Sequence, residues 1–264
     1  MLKIGLKLWS TNEKYVKPAL ALYHEGFCDY IELFAVPGSL KNFLPMWKAL
    51  EVPYLIHAPH YYGGGMCLSQ KDAFEKNMEL AAETLKFADA LKAPHIIFHS
   101  GVGGNIEETA RQLSYINDPR ILVENKPYRG IKGEICNGVS PKEIGFLMAS
   151  AKVGFCLDIG HALCAANSLK RPHAEFLSEM SALEPTLFHL TDGYKDGEKD
   201  VHLHLGTGSF DFDLIRMLLP QTAQVSIECY HDSEDHLDDF KDDSKFLRQL
   251  FKYSPSDTHK GLSL

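Results

Sequence analysis

Eight short apolar runs recur along the 264-residue chain, at positions 4–8, 30–34, 54–57, 95–99, 121–124, 153–158, 187–190 and 225–228. Each is four to six residues long, the length of a strand buried on both faces. The stretches between them carry helical signals. Phe74, Met78, Ala81, Leu85 and Ala88 follow helical spacing, with Ser69-x-x-Asp72 as a capping box ahead of them. Ser140-Pro141-Lys142-Glu143 is a stronger start: a cap serine, a proline in the first turn, and a glutamate three residues after the cap. Leu237, Phe240, Leu247, Leu250 and Phe251 form the last apolar stripe. Eight strands alternating with helices over this length predict an α/β fold, a (β/α)8 TIM barrel. The rival is an open doubly wound sheet, but no GxGxxG follows the first run. No linker rich in Pro, Gly or Ser divides the chain, so 1–264 reads as a single domain, with the last ~10 residues a tail.

A chain that is 45% hydrophobic and 23% charged is neither disordered nor of low complexity. Its formal net charge of −8 argues against a basic nucleic-acid coat protein while leaving room for a local positive cleft. Cys28, Cys67, Cys136, Cys156, Cys164 and Cys229 form no CxxC pair and no zinc-finger spacing. Cys156 and Cys229 fall in strand-like runs, where a free thiol acts as a small hydrophobe. This usage suits a reducing cytoplasm. The longest run without Asp, Glu, Lys or Arg, positions 52–70, holds prolines, histidines and Gly63-Gly64-Gly65, so no membrane span is expected. Nothing marks a protein partner, and a cytoplasmic monomer is the expectation.

What ends each run points to chemistry. Run three ends at His57, run four at His99, run five at Glu124, run six at Asp158, run seven near its end at His189 and run eight at Glu228. Parallel barrel strands all end on one side, so these six groups converge on one mouth. His161 follows Asp158 by three positions, and Asp200-x-His202 places two more ligands on one side of an extended segment. One histidine at a strand end is ordinarily a hydrogen-bonded rim residue. Six strands in succession ending this way imply a cation, because so many clustered ionisable groups are costly to bury alone. Imidazoles and carboxylates without thiolates suit zinc, manganese or iron.

The same segments carry a family resemblance. Ile56-His57, Phe98-His99-Ser100-Gly101, Val123-Glu124-Asn125, 157–162 with Asp158 and His161, His189-Leu190-Thr191-Asp192, 200–208 from Asp200 to Gly208, and Ile227-Glu228 stand in an order that resembles endonuclease IV, AP endonuclease family 2, among the xylose-isomerase-like barrels. The resemblance implies three divalent metals, zinc before manganese or iron. His57, His99 and Glu124 would hold the first. Glu124, Asp158, His189 and Glu228 would hold the second, with Glu124 bridging. His161, Asp200 and His202 would hold the third. Glu124, Asp158 and Glu228 would then be the catalytic carboxylates. Adjacent divalent cations make hydroxide available near neutral pH, clamp a phosphate and stabilise the leaving oxygen. The implied reaction is hydrolysis of the phosphodiester 5′ to an abasic site in duplex DNA.

Three features depart from that pattern. Lys7 stands where the family has a first-strand histidine. Positions 35–40 carry no basic residue. Positions 232–243 hold seven acids and one lysine, expected as the solvated face and first turn of the last helix. Lys126, Arg129, Lys132, Lys170 and Arg171 fall in mouth-side loops and are either phosphate contacts or solvated loop charge. His60 and Tyr61 either line the mouth or pack their loop. Gly63-Gly64-Gly65 reads as a flexible turn. His204 supports the Asp200–His202 pair at most. His24, His173, His231, His236 and His259 carry no role, and Trp9 and Tyr194 stack on a base or sugar or pack the rim.

A second reading stays in the same superfamily: a sugar or sugar-phosphate isomerase or epimerase, with Glu124, Asp158, His189 and Glu228 around one metal. A metal-dependent binding protein on this barrel is the non-enzymatic alternative.

Overall fold

The computed structural model describes residues 2–252, so the expected tail lies outside the described residues. The strands are β1 (Lys3–Trp9), β2 (Tyr30–Phe34), β3 (Tyr54–His57), β4 (Ile96–His99), β5 (Ile121–Glu124), β6 (Gly154–Asp158), β7 (Leu187–Leu190) and β8 (Gln224–Ile227). They pair in parallel in sequence order, and β8 returns to β1 through Gly5 opposite Ser226, closing the barrel. Around it lie α1 (Val16–His24), α2 (Leu40–Lys48), α3 (Phe74–Leu91), α4 (Ile106–Ile116), α5 (Pro141–Ala151), α6 (Ile159–Ser168), α7 (His173–Ser181), α8 (Phe212–Leu218) and α9 (Asp238–Lys252). The (β/α)8 expectation is met, and the open sheet is excluded by the closure.

Strand alternation sorts the side chains into two cores. One set faces the helices and joins the large apolar layer that includes Ile4, Ile31, Phe98 and Val225. The other faces the barrel axis, where Tyr30, Leu55, Ile97, Leu122, Cys156 and Leu187 form a separate buried cluster. Ser226 is opposite Gly5 at the same level and binds the Tyr30 hydroxyl at 3.0 Å. This plug closes the barrel interior below the mouth.

Local signals placed most elements. The Ser140 capping box is present: its side chain accepts from Glu143 N–H, and Glu143 reaches back to the cap backbone. Ser69 departs from expectation. Its hydroxyl donates to Val102 O at 3.0 Å instead of capping, and a short 3-10 turn, Lys71–Ala73, precedes α3. A buried carbonyl needs a donor, and that demand outweighs a local cap. The buried face of α3 carries Asn77 and Thr84 as well as Leu80, Ala81, Phe87 and Ala88, so the apolar stripe marks the margin of that face. Asn77 spends its amide on Cys67 and Gln112.

Between β6 and β7 the chain makes two helices. α6 starts directly at the end of β6, because Asp158 caps it by accepting His161 N–H at 2.6 Å. Asp158 is thus both a strand end and a helix cap. β7 continues one residue past His189, and β8 ends one residue before Glu228. No helix among the described residues is long and apolar enough to cross a membrane.

Candidate metal centre

Two positions beyond each member of the inner plug lies the next inward-facing residue of that strand. These residues are Lys7, Glu32, His57, His99, Glu124, Asp158, His189 and Glu228. Every strand therefore contributes an ionisable side chain to one ring at the mouth. Six of the eight are the expected ligands. Glu32 and Lys7 complete the ring.

Backbone carbonyls fix the orientation of three histidines. Nδ1 of His57 is 2.7 Å from Ala58 O, Nδ1 of His161 is 3.0 Å from Asn125 O, and Nδ1 of His202 is 2.9 Å from Glu228 O. A carbonyl only accepts, so in each ring Nδ1 carries a proton, and in the neutral ring Nε2 presents a lone pair. Those Nε2 atoms all face carboxylate oxygens. His57 Nε2 is 3.2 Å from Glu124 Oε2. His161 Nε2 and His202 Nε2 are 3.4 and 3.2 Å from Asp200 Oδ2. His99 Nε2 also faces Glu124 Oε2, at 3.1 Å. With the rings neutral, acceptor would face acceptor, an arrangement that a cation between them, or a proton on Nε2, relieves. Glu124 Oε1, Asp158 Oδ2, His189 Nδ1 and Asp200 Oδ2 are buried and make no hydrogen bond among the described residues. The donor set thus suits divalent cations held by nitrogen and oxygen.

The ligand atoms gather in groups: His57–His99–Glu124, Glu124–Asp158–His161 and Glu32–His189–Glu228, each within 4.8 Å. The expected first set is one of these groups, and Glu124 belongs to two. The expected second set is linked through His189, whose Nδ1 is 2.7 Å from Glu228 Oε1 and 3.3 Å from Glu124 Oε2. The structure adds Glu32 to that set and shares Asp158 with His161. The expected third set converges on Asp200 Oδ2, as given above.

Glu32 explains how His189 is held. Its Oε2 lies 3.0 Å from His189 Nε2 and accepts from Ser226, while its Oε1 is 3.2 Å from Lys7 Nζ. Lys7 also pairs with Glu228. A proton on Nε2 leaves Nδ1 as the free ligand atom, the carboxylate–histidine–metal arrangement. Sequence reading passed over Glu32, yet it had a signal. In Tyr30-Ile31-Glu32-Leu33-Phe34 a charge sits in the middle of an otherwise apolar strand, two residues beyond an inward-facing tyrosine. Lys7 had the same signal.

The field in this ring is strong. Burial would raise the Glu124 and Glu228 carboxyls, but neighbouring groups hold both well below the ordinary range, the His99 and His189 imidazoles at Glu124 and the His189 imidazole with the Lys7 ammonium at Glu228. Burial pushes Asp158 up to about 6, with Asp200, Glu124 and Glu228 adding to it and His161 opposing. Burial keeps His99 and His60 well below their ordinary value, and Lys126 adds to the effect.

Asp192 holds the loop that delivers Asp200 and His202. Its carboxylate accepts N–H groups from Gly193, Gly206, Gly208 and Phe210. Gly208 is required there, because a Cβ would lie 2.3 Å from Gly193 O and 2.5 Å from Asp192 Oδ1. His202 takes a left-handed backbone, φ 49°, uncommon outside glycine and found where function fixes a side chain. His204 binds Asp243 at 2.7 Å, and Asp243 also takes Leu205 N–H. Asp243 is therefore buried and tethers α9 to this loop, a correction to the wholly solvated acidic block. Asp239 likewise binds His231, at 3.0 Å.

Of the five basic candidates, only Lys126 follows a ring residue closely, two positions after Glu124. It is half-buried, makes no ion pair among the described residues, and its charge acts on His60, His99 and His161. Arg129 and Lys132 are exposed on the arm after β5, with the Arg129 guanidinium 5.7 Å from the Tyr128 ring. Lys170 is exposed, and Arg171 is engaged by Glu175 and Glu179 at 2.8 and 2.7 Å. Trp9 stacks on Phe34 at 4.9 Å while half its surface stays open, and Tyr194 is exposed.

Comparison with known proteins agrees with the fold. The family described as a xylose isomerase-like TIM barrel matches residues 28–250. An uncharacterized protein of Methanocaldococcus jannaschii is 24% identical over 195 residues, covering 67% of this chain and 63% of its own, so the chain spans less than two thirds of that relative. Among solved structures, a D-tagatose 3-epimerase-like protein superposes with TM-score 0.71 at 18% identity, over 97% of this chain and 99% of that one. Endonuclease IV from Thermus thermophilus superposes with TM-score 0.66 at 21% identity, over 94% of this chain and 97% of that one. Likeness at such identities speaks for the fold alone. With a closed parallel barrel and a family match over most of its length, the chain belongs to the xylose isomerase-like TIM barrels.

Proposed function

We propose that the protein is a metal-dependent phosphodiester hydrolase that cleaves DNA on the 5′ side of an abasic site, as the resemblance to endonuclease IV implies. One observation carries the reading. Besides the Glu124–Asp158–His189–Glu228 quartet, two further sets of ligand atoms face inward: His57 with His99, and His161 with Asp200 and His202. That is more than one cation can use, and a single-metal isomerase has no need of it. His57, His99 and Glu124 would hold one cation, Glu124, Asp158, His189 and Glu228 a second, and His161, Asp200 and His202 a third. Bound there, divalent cations would supply Lewis acidity and a nucleophile at neutral pH. Glu124, shared by the first two sets, would link those two positions. Glu32 and Lys7, in the same ring, orient His189 and Glu228. Lys126 offers a positive charge to an incoming phosphate.

A second reading, sugar epimerisation at the quartet with one cation, is favoured by the charge around the mouth. Asp232, Glu234 and Asp235 line the exposed approach to α9, and Arg171 is tied to its own acids. Such a rim suits a small neutral sugar better than duplex DNA. The deciding experiment is elemental analysis of protein purified without chelator, beside nicking of an abasic duplex and turnover of a ketose panel. Close to three cations with nicking supports the hydrolase. One cation with sugar turnover overturns it in favour of the epimerase.

A further inference from the structure

His60 and the Gly63-Gly64-Gly65 turn have no part in the ligand sets above. The His60 ring is nonetheless fixed by its surroundings. Its backbone N–H donates to Gly63 O at 2.8 Å, and its carbonyl accepts Gly65 N–H at 2.9 Å. Its Nδ1 accepts Gly63 N–H at 3.1 Å. A nitrogen that accepts from a backbone amide carries no proton, so the ring proton is on Nε2. The ring stacks on His99 with centroids 4.8 Å apart and planes 13° apart, and meets Phe34 edge-on at 5.3 Å. Its Nε2–H has no partner among the described residues.

The glycine turn keeps that edge open. A Cβ at position 63 would lie 3.0 Å from both His60 Nε2 and Cε1. Gly64, at φ 97°, packs so closely that a Cβ would meet Pro37 at 2.7 Å and Pro59 at 2.8 Å. The turn is therefore a seat for the imidazole, and its glycines are what the seat requires. Lys126 follows the ring residue Glu124 by two positions at the mouth end of β5, is half-buried, and makes no ion pair among the described residues.

We propose that His60 Nε2–H and the Lys126 ammonium form an anion subsite beside the His57–His99–Glu124 group, where they take a phosphate oxygen of the substrate. A directed N–H donor together with an ammonium is a pairing that recognises such an oxygen. The subsite depends on the phosphodiester reading only for the identity of the phosphate's carrier.

The test uses full-length, zinc-loaded protein titrated with inorganic phosphate in a calorimeter. His60→Phe keeps a ring for stacking and removes the donor. His60→Gln restores an N–H near the place of Nε2. Lys126→Met removes the ammonium. His60→Phe and Lys126→Met should each weaken phosphate binding about tenfold. His60→Gln should recover most of the loss, with zinc content equal in all four proteins. Unchanged phosphate affinity in His60→Phe overturns the subsite, and so does loss of zinc, which would make His60 only a support for His99. An independent readout needs no variant: phosphate added to the wild-type protein should shift the His60 Nε2 signal in a long-range nitrogen–proton spectrum, and an unmoved signal overturns the proposal. An uncut abasic duplex beside His60-dependent phosphate binding retires the nuclease and leaves the subsite. A cut duplex beside His60-independent binding does the reverse.

Discussion

His189 Nε2 lies 3.0 Å from Glu32 Oε2, so a carboxylate of β2 orients an imidazole of β7 from 157 residues away. The strands between them in the barrel are β8 and β1, which supply Ser226 and Lys7 to the same carboxylate. Glu32 is the point where four strands meet.

Glu32→Gln should therefore act through His189. The amide keeps the shape but loses the charge that fixes the Nε2 proton. Removing such a partner ordinarily costs about 10–100-fold in metal affinity. Competition against a chromogenic chelator would measure it, and wild-type affinity in Glu32→Gln would show that Glu32 does not orient His189.

Glu124→Gln should be more severe. Glu124 Oε2 faces His57, His99 and His189, and Oε1 faces His161. Without its charge, two neighbouring cations lose their shared anion. The expected outcome is loss of at least one cation per chain and of nearly all activity, read by elemental analysis and turnover. Full metal content and turnover in the variant would end the bridging role.

Lys7→Met should expose what the ring costs without cations. Lys7 neutralises Glu32, which is buried, and Glu228, whose side chain is only 8% exposed. Removing one partner of a buried pair typically costs about 3–5 kcal/mol. Thermal unfolding of chelator-treated Lys7→Met should show that loss, and zinc should restore part of it. An unchanged midpoint in the metal-free variant would contradict the argument.

Metal uptake should depend on pH through Asp158, whose carboxyl is raised by burial to about 6 from an ordinary 3.8. The folded, metal-free protein then binds this proton more tightly than the unfolded chain. The charged form costs stability above about 6, and that cost is relieved as pH falls toward the unfolded value. A cation must displace the proton, so this carboxyl should lower affinity with falling pH, approaching about tenfold per unit well below pH 6, with proton release on binding. Calorimetry in buffers of different ionisation enthalpy measures the release. Flat affinity between pH 7 and 5 would refute it.

The barrel was legible because each strand and its helix start are local patterns. The runs at 30–34, 54–57, 121–124 and 187–190 coincide with β2, β3, β5 and β7. The six strand-borne ligands were legible for the same reason: a parallel barrel puts all strand ends on one side, whatever the rest of the chain does. Asp200-x-His202 was legible as a pair, though the Asp192 carboxylate that shapes its loop was not.

What the sequence by itself determined is thus the strand rhythm and the ligand types at the strand ends, both set by near-neighbour spacing and the two-residue alternation of a strand. Only the tertiary structure decided which inward side chains meet. Closure of β8 on β1 brings Lys7 to Glu228, and the stagger of the strands brings Glu32 to His189. It also decided that Arg171 spends its charge on Glu175 and Glu179, while Lys126 makes no ion pair among the described residues. Contacts between residues more than 150 positions apart follow from barrel register and loop packing, long-range conditions that no local window of sequence contains.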